Sequence, residues 1–314
     1  MKTYFSIFDF QPLKKSIVTI GTFDGVHLGH QSILNKLKSG KENDIYESVL
    51  LTFYPHPRMV LQQDRELKLL NSIEEKIQLL NQFGIDNLII HPFDESFSKL
   101  SAEEFVSSIL VDKLNVQKII IGYDHRFGRN RTANIDDLTT FGEKYHFEVE
   151  QISAKEIDAI SISSTKIRNA ILEGNILLAK KYLGYNYFFS GTIIEGKKIG
   201  RTIGFPTANI ALSESYKLIP KNGVYVVSGQ IEERLLYGMM NIGNNPTTGN
   251  NEQTIEVHFF NVDEDLYEKN VVISILDYIR SEEKFDSLDD LKLQLVKDQE
   301  YSLEFIKKYE KNSL

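Results

Sequence analysis

The stretch "TIGTFDGVHLGHQSIL", residues 19–34, runs from an apolar, β-branched segment through a loop into a helix-like pattern. The loop carries Gly21, Gly25 and Gly29, with His27 and His30 three residues apart. "SIVTIGTF" before it reads as a strand, and the following helix is expected to begin near Gln31. The same grammar then repeats. "SVLLTFYP", "NLIIHPF", "KIIIGYD" and "FEVEQI" read as strands, and "SIEEKIQLLNQFG", "SAEEFVSSILVDKL" and "DDLTTFGEKYH" as helices between them. Ser72 with Glu75, and Ser101 with Glu104, have capping-box spacing, and Gly84 fits a helix stop. Alternating strands and helices predict a parallel sheet covered by helices. Ligands of such sheets sit beyond the carboxyl ends of the strands. The opening loop falls at such an end, as do "YPHP" with His56 and "GYDHRFGRNR".

From about residue 187 the pattern changes. "YFFSGTIIEG", "GFPTANIAL", "GVYVVSGQI", "LLYGMMNIG", "TIEVHFFNV" and "NVVISILDYI" are strand-like and joined by Gly-, Asn- and Pro-containing turns. That is the signature of a barrel or sandwich. The helical stretch "SLDDLKLQLVKDQEYSLEFIKKY" is expected to close or pack against it. The junction lies near "LAKKYLGYN", which places the domains at 1–184 and 185–314.

The 314 residues are 41% hydrophobic and 25% charged, enough for a sizeable core in two domains. With no cysteine, disulfides, thiolate metal sites and cysteine nucleophiles are excluded. The start "MKTYFSIFDF" does not read as a secretory signal, because Asp9 cuts its apolar run. No run is long enough to cross a bilayer, so a cytoplasmic chain without a membrane partner is expected. A net charge of −8 argues against a nucleic-acid partner, whose backbone contacts need a basic face. A local phosphate site remains open to an acidic protein, since it needs only a few cations and backbone amides.

The glycine–histidine loop has three readings: a simple turn, a metal site, or a phosphate site. A metal site would need a third ligand such as Asp24 or His56. The phosphate reading uses every feature. Glycines allow close backbone approach, a helix N-terminus faces the loop, and two imidazoles add donors. "SISSTKIRNAIL", residues 161–172, supports it by setting Ser163, Ser164 and Thr165 at a helix start, with Lys166 and Arg168 in the first turns.

"GTFDGVHLGH" together with "SSTKIR" resembles the HxGH nucleotidyltransferase superfamily. "FYPHP", "GYDHRFG" and the second half narrow the resemblance to the bacterial bifunctional riboflavin kinase/FAD synthetases. It implies a Rossmann-like adenylyltransferase domain followed by a riboflavin-kinase-like β-barrel with a terminal helix. It further implies riboflavin, FMN and ATP as partners, Mg2+ with the ATP, and a monomer or weak oligomer. Gly21, Phe23, Asp24, His27, His30, Ser164 and Arg168 would bind ATP, with His30 at the reacting phosphate. Asp124, Phe127 and Arg131 would position FMN.

"GTIIEGKK", residues 191–198, nearly matches a nucleotide-binding glycine loop but is rejected. Lys198 replaces the required hydroxyl, and "TIIE" reads as strand. A hairpin near Gly196 is the better account, with Lys197 either solvated or leaning toward a phosphate. "GRTIGFPTANI" resembles the riboflavin-kinase signature, which assigns Thr207 and Asn209 to Mg-ATP, alternating along one strand. Glu256 occupies the family's general-base position, and Arg280 matches a basic position near the flavin. Departures occur where the family commonly has Asp-Phe and Tyr-Gly: here Asn261-Val262 and Tyr267-Glu268. "LGYNY" also lacks the usual Arg-Pro. Two rival functions are a cytidylyltransferase for a phosphorylated alcohol and a non-catalytic flavin-binding module.

Overall fold

In a computed structural model, the described residues are all except 41–44, 62–65, 124, 154–161, 197–199, 201–202, 245–252 and 312–314. Asp124, Lys197 and Lys198 therefore lie outside the described residues. The chain divides into two compact units, Met1–Ser164 and Thr165–Leu314.

The first unit contains β1 (Lys2–Tyr4), β2 (Lys15–Ile20), α1 (Leu28–Ser39), β3 (Tyr46–Phe53), α2 (Ile73–Asn81), β4 (Asn87–His91), β5 (Val116–Gly122), α3 (Ile135–Tyr145) and β6 (Glu148–Ile152). Ser101 starts a further helical stretch whose Phe105–Val111 portion is π-helical. Both expected capping boxes form, at Ser72–Glu75 and Ser101–Glu104. Strand β1 is an addition to the sequence reading, paired at the sheet edge with β4.

All pairings are parallel, in the order β1-β4-β3-β2-β5-β6. Side chains alternate along each strand, so one set meets one helical layer. Val18 and Ile20, Val49 and Leu51, and Ile119 and Ile121 pack with Val106, Leu110 and Leu138 on one face. On β2 every residue after Lys15 is buried, as expected of a parallel strand covered on both faces. The chain runs outward from β2 through β3 to β4, then returns to place β5 on the other side of β2. The carboxyl ends of β2 and β5 thus flank the switch point, where doubly wound sheets open a ligand crevice. The glycine–histidine loop follows β2, and "GYDHRFG" begins in the last residue of β5.

The second unit begins with the helical segment α4 (Ser164–Leu172), whose first residue still belongs to the first unit, and α5 (Ile176–Leu183). The strands β7 (Phe188–Ile194), β8 (Ala208–Ala211), β9 (Gly223–Ile231), β10 (Arg234–Asn244), β11 (Gln253–Phe259) and β12 (Asn270–Arg280) follow. They close into an antiparallel barrel in the order β10-β11-β8-β7-β12-β9. Closure leaves no strand edge to be shielded. Ile255, Val257 and Phe259 are buried on β11, while Thr254, Glu256 and His258 alternate with them on the more exposed face. Helix α6 (Leu288–Lys311) packs against β9 and β10, with Ile306 in a cluster with Val226, Met239 and Phe260.

Candidate active sites

The helix after the first loop begins at Leu28, three residues earlier than Gln31. The reason is a cap that the sequence reading did not foresee. His27 takes the N-cap position, with extended backbone, and its Nδ1 accepts from the His30 amide at 3.4 Å. Ser, Thr, Asp or Asn usually does this. Both histidines are consequently locked at the helix N-terminus, where the first-turn amides of Leu28 and Gly29 have no acceptor within the helix. Their rings stack at 3.7 Å with 15° between planes. Phe23, 1% exposed, lies against His30 at 4.8 Å, so its part in the site is to back the imidazole. Gly21 leaves room for that ring, because a Cβ there would sit 3.1 Å from Phe23.

Burial, followed by His27 and Lys76, holds His30 well below the ordinary imidazole range. His30 therefore stays neutral as the pH falls past the usual histidine midpoint. Its Nδ1 is buried and has no hydrogen-bond partner among the described residues. An orphaned ring nitrogen beside free helix amides suits an incoming phosphate oxygen.

Ser164 reaches back to this loop. Its Oγ donates to the Asp24 carbonyl at 2.9 Å, across 140 residues of sequence. The bond holds Ser164 beside the loop. Arg168 follows Ser164 by one helical turn, on the same helix face, and is 9% exposed. Asp24 is itself buried, and its carboxylate accepts from the Leu70 amide at 2.9 Å. That contact belongs to the segment leading into α2, which sequence reasoning treated only as a helix start.

The expected FMN residues divide. Phe127 is 7% exposed, bridged to Ala133 and packed against Phe105 and His125, so its ring belongs to the core that supports the loop. Arg131 is exposed with φ +56°. His56 accepts the Arg58 amide on Nδ1 at 3.1 Å, which gives it a part in shaping the loop after β3.

In the barrel, three predicted residues converge. Thr207 lies one residue before β8 rather than within it, yet its Oγ1 donates to Glu256 Oε2 at 3.0 Å. Glu256 pairs in register with Asn209 on β8 and with Asn241 on β10. A hydroxyl, two amides and a carboxylate thus share one patch of the barrel exterior. A Cβ at Gly196 would overlap the Asn209 amide, so the glycine allows close approach there. Among the described residues no group of three or more His, Cys, Asp or Glu side chains could hold a metal alone. One carboxylate with neutral oxygens nevertheless fits Mg2+ delivered with nucleotide phosphates. His258 instead holds the Pro206 carbonyl through Nδ1 at 2.8 Å and meets Phe205 edge-on, which fixes the approach to Thr207.

Arg280 forks onto Asp298 of α6, with bonds of 3.0, 3.1 and 2.7 Å. Asp298 is 1% exposed and also accepts from Gln294. The pair ties the end of β12 to the helix. A pocket of about 60 Å³ beside Thr207 is lined by Val262, Leu266 and Tyr267 from the turn where the sequence departs from the family pattern. There Asn261 (φ +58°) and Glu268 (φ +63°) occupy left-handed positions. Asparagine tolerates this conformation, whereas glutamate is strained by about 1 kcal/mol relative to glycine. Glu268→Gly is expected to raise stability by about 0.5 kcal/mol, the relieved strain being offset by roughly half through the added unfolded-state freedom. A urea titration checks it, and an unchanged or lower midpoint would contradict it.

Comparison with known proteins addresses the family of the whole chain. Residues 9–166 match the FAD synthetase family and residues 183–306 the riboflavin kinase family. A bifunctional riboflavin kinase/FMN adenylyltransferase of Buchnera aphidicola subsp. Schizaphis graminum is 43% identical over 94% of each chain. That of Escherichia coli K12 is 36% identical over 94% of each. A crystal structure from Streptococcus pneumoniae, described as a macrolide-efflux protein, is 32% identical. It matches with a TM-score of 0.87 over 96% of this chain and 98% of its own. No helix among the described residues is long and apolar enough to cross a membrane. Two successive family matches and relatives alike over nearly their whole length place the chain in the bifunctional riboflavin kinase/FMN adenylyltransferase family.

Proposed function

We propose that the two reactions of this family are housed separately, with adenylyl transfer at the glycine–histidine loop and phosphorylation at Thr207, Asn209 and Glu256. The domains carrying them are assigned to 1–184 and 185–314. The chain phosphorylates riboflavin with ATP to give FMN, then adenylylates FMN to FAD with release of pyrophosphate.

In the first reaction the terminal ribityl hydroxyl attacks the γ-phosphorus, and ADP leaves. Glu256 accepts the hydroxyl proton, held in place by the Thr207 hydroxyl. Thr207 and Asn209 would hold Mg2+ with ATP; bound there, the ion neutralises charge on the phosphates. Arg280 lies on the strand end nearest α6 and is assigned to the flavin end of this site.

In the second reaction an FMN phosphate oxygen attacks the α-phosphorus of ATP, and the bond to the pyrophosphate oxygen breaks. No covalent enzyme intermediate is needed, so the side chains position groups and stabilise charge. Neutral His30 donates a hydrogen bond to the α-phosphate as charge develops, and His27, held as the helix cap, fixes its ring. Gly21, Phe23 and Asp24 shape the loop. Ser164 and Arg168 hold the outer phosphates. Asp124, Phe127 and Arg131 are assigned to FMN, Phe127 through packing. The Ser164–Asp24 bond carries this reading most directly, because it joins two sequence-distant phosphate-binding segments at the switch point of the sheet.

A nucleotide and acceptor screen tests the assignment: ATP with riboflavin and with FMN should turn over, while CTP consumption without flavin turnover would overturn it. Chelation with EDTA is expected to stop both reactions, and added Mg2+ to restore them; FAD formation persisting in EDTA would contradict the metal assignment. ATP supply and the lack of cysteine fit a cytoplasmic enzyme, working as a monomer or weak oligomer without nucleic-acid or membrane partners.

A further inference from the structure

The loop between β2 and α1 has a demanding backbone. Phe23 (φ +47°), Gly25 (φ +85°) and Val26 (φ +35°) are all left-handed. For a β-branched residue such as Val26 that is a true outlier. Such conformations persist only where neighbours over-determine them.

Besides Ser164 and Thr52, which donate to the Asp24 and Thr22 carbonyls, three of the neighbours belong to one short segment, residues 70–76. The Leu70 amide donates to Asp24 Oδ1 at 2.9 Å. The Gly25 amide donates to Asn71 Oδ1 at 2.9 Å. Lys76 Nζ donates to the Thr22 carbonyl at 2.8 Å. Asn71 is 1% exposed and Lys76 3%. The three bonds fall on consecutive parts of the loop, at Thr22, Asp24 and Gly25. A buried ammonium is costly, and a methionine would fill the same volume without that cost. The lysine is therefore poorly explained by packing alone.

We infer that Lys76 and Asn71 are positioning residues for adenylyl transfer, clamping the Thr22–Val26 loop in the form that presents His27 and His30 to the phosphates. The inference rests on the assignment of adenylyl transfer to this loop. Charge supports the geometry. Burial lowers the proton affinity of Lys76, and the Asp24 carboxylate beside it offsets part of that. The positive charges facing His30 are those of Lys76 and, when protonated, the stacked His27; both oppose protonation of His30. Asp24 is the charge facing Lys76. Lys76 thus fixes the loop and adds to the burial that disfavours protonation of His30.

Two variants of the full chain separate these roles. Lys76→Met removes a bond and a charge; Asn71→Ala removes an uncharged anchor only. Each is expected to lower kcat for FMN adenylylation by about tenfold to a hundredfold, with a smaller change in KM for ATP. Riboflavin phosphorylation in the same preparation should be unchanged. Lys76→Met should also move the acid limb of the kcat/KM profile to higher pH, because His30 regains proton affinity. Asn71→Ala should leave that limb in place. Wild-type kcat in both variants, or a loss in Lys76→Met with the limb unmoved, would overturn the inference. Should Lys76→Met fail to fold, Asn71→Ala decides: the stated loss supports the clamp and wild-type kcat refutes it. A His30→Ala control that still makes FAD at the wild-type rate would instead refute the assignment of the site.

Discussion

His30→Ala is expected to stop FAD formation from FMN while riboflavin is still converted to FMN by the same preparation. His30 supplies a neutral donor, half-buried and aligned by the stacked His27 and by Phe23. Removing one such pre-oriented donor typically costs 10²- to 10³-fold in kcat. Folding is not the issue, since truncating a side chain at the mouth of a crevice leaves the sheet core intact. FMN and FAD separated by chromatography after incubation with ATP and Mg2+ provide the check. FAD at the wild-type rate would remove His30 from the reaction. Loss of both products in a folded chain would mean that the two reactions do not occupy separate sites.

Glu256→Gln should give the opposite pattern. The amide keeps the size and the contact to Thr207 but cannot accept the hydroxyl proton. Loss of a general base costs about 10²- to 10⁴-fold, so FMN formation from riboflavin should fall by that factor. FAD formation from supplied FMN should continue. Glu256 sits on the outer face of a closed barrel, between inward-facing Ile255 and Val257, so the exchange does not disturb the packed interior. Wild-type phosphorylation by this variant would reassign Glu256 to holding Thr207 alone.

Much of this fold is legible in the sequence because its local signals agree. Capping boxes at Ser72 and Ser101, β-branched runs and glycine loops all specify the same parallel sheet. The regular strand and turn spacing after residue 187 specifies an all-β domain but leaves barrel and sandwich open; the resemblance to riboflavin kinases points to the closed barrel that forms. Strand β1 is not legible, because three residues at a sheet edge carry no period. The early start of α1 is hidden because it depends on a histidine acting as cap. Thr207 was expected within a strand; Pro206, which cannot donate to a ladder, keeps the chain out of the strand until Ala208.

The histidine pair, Ser164 and Glu256 are visible as motifs, but their partners are not. Asp24 meets Leu70, Ser164 meets Asp24, and Lys76 meets Thr22 across 46 to 140 residues. No spacing rule encodes such contacts. The one available hint was Lys76 itself, which falls on the buried side of α2 beside Leu79 and Leu80. A lysine on an apolar helix face is a cation that needs a partner.

The most direct test of two separate sites is a mixing experiment with riboflavin, ATP and Mg2+. His30→Ala alone should accumulate free FMN over many turnovers, and Glu256→Gln alone should leave riboflavin largely unconverted. Mixed, the two variants should make FAD, the first supplying FMN and the second adenylylating it. A mixture that yields no FAD while His30→Ala releases FMN into solution would contradict the assignment of one reaction to each unit.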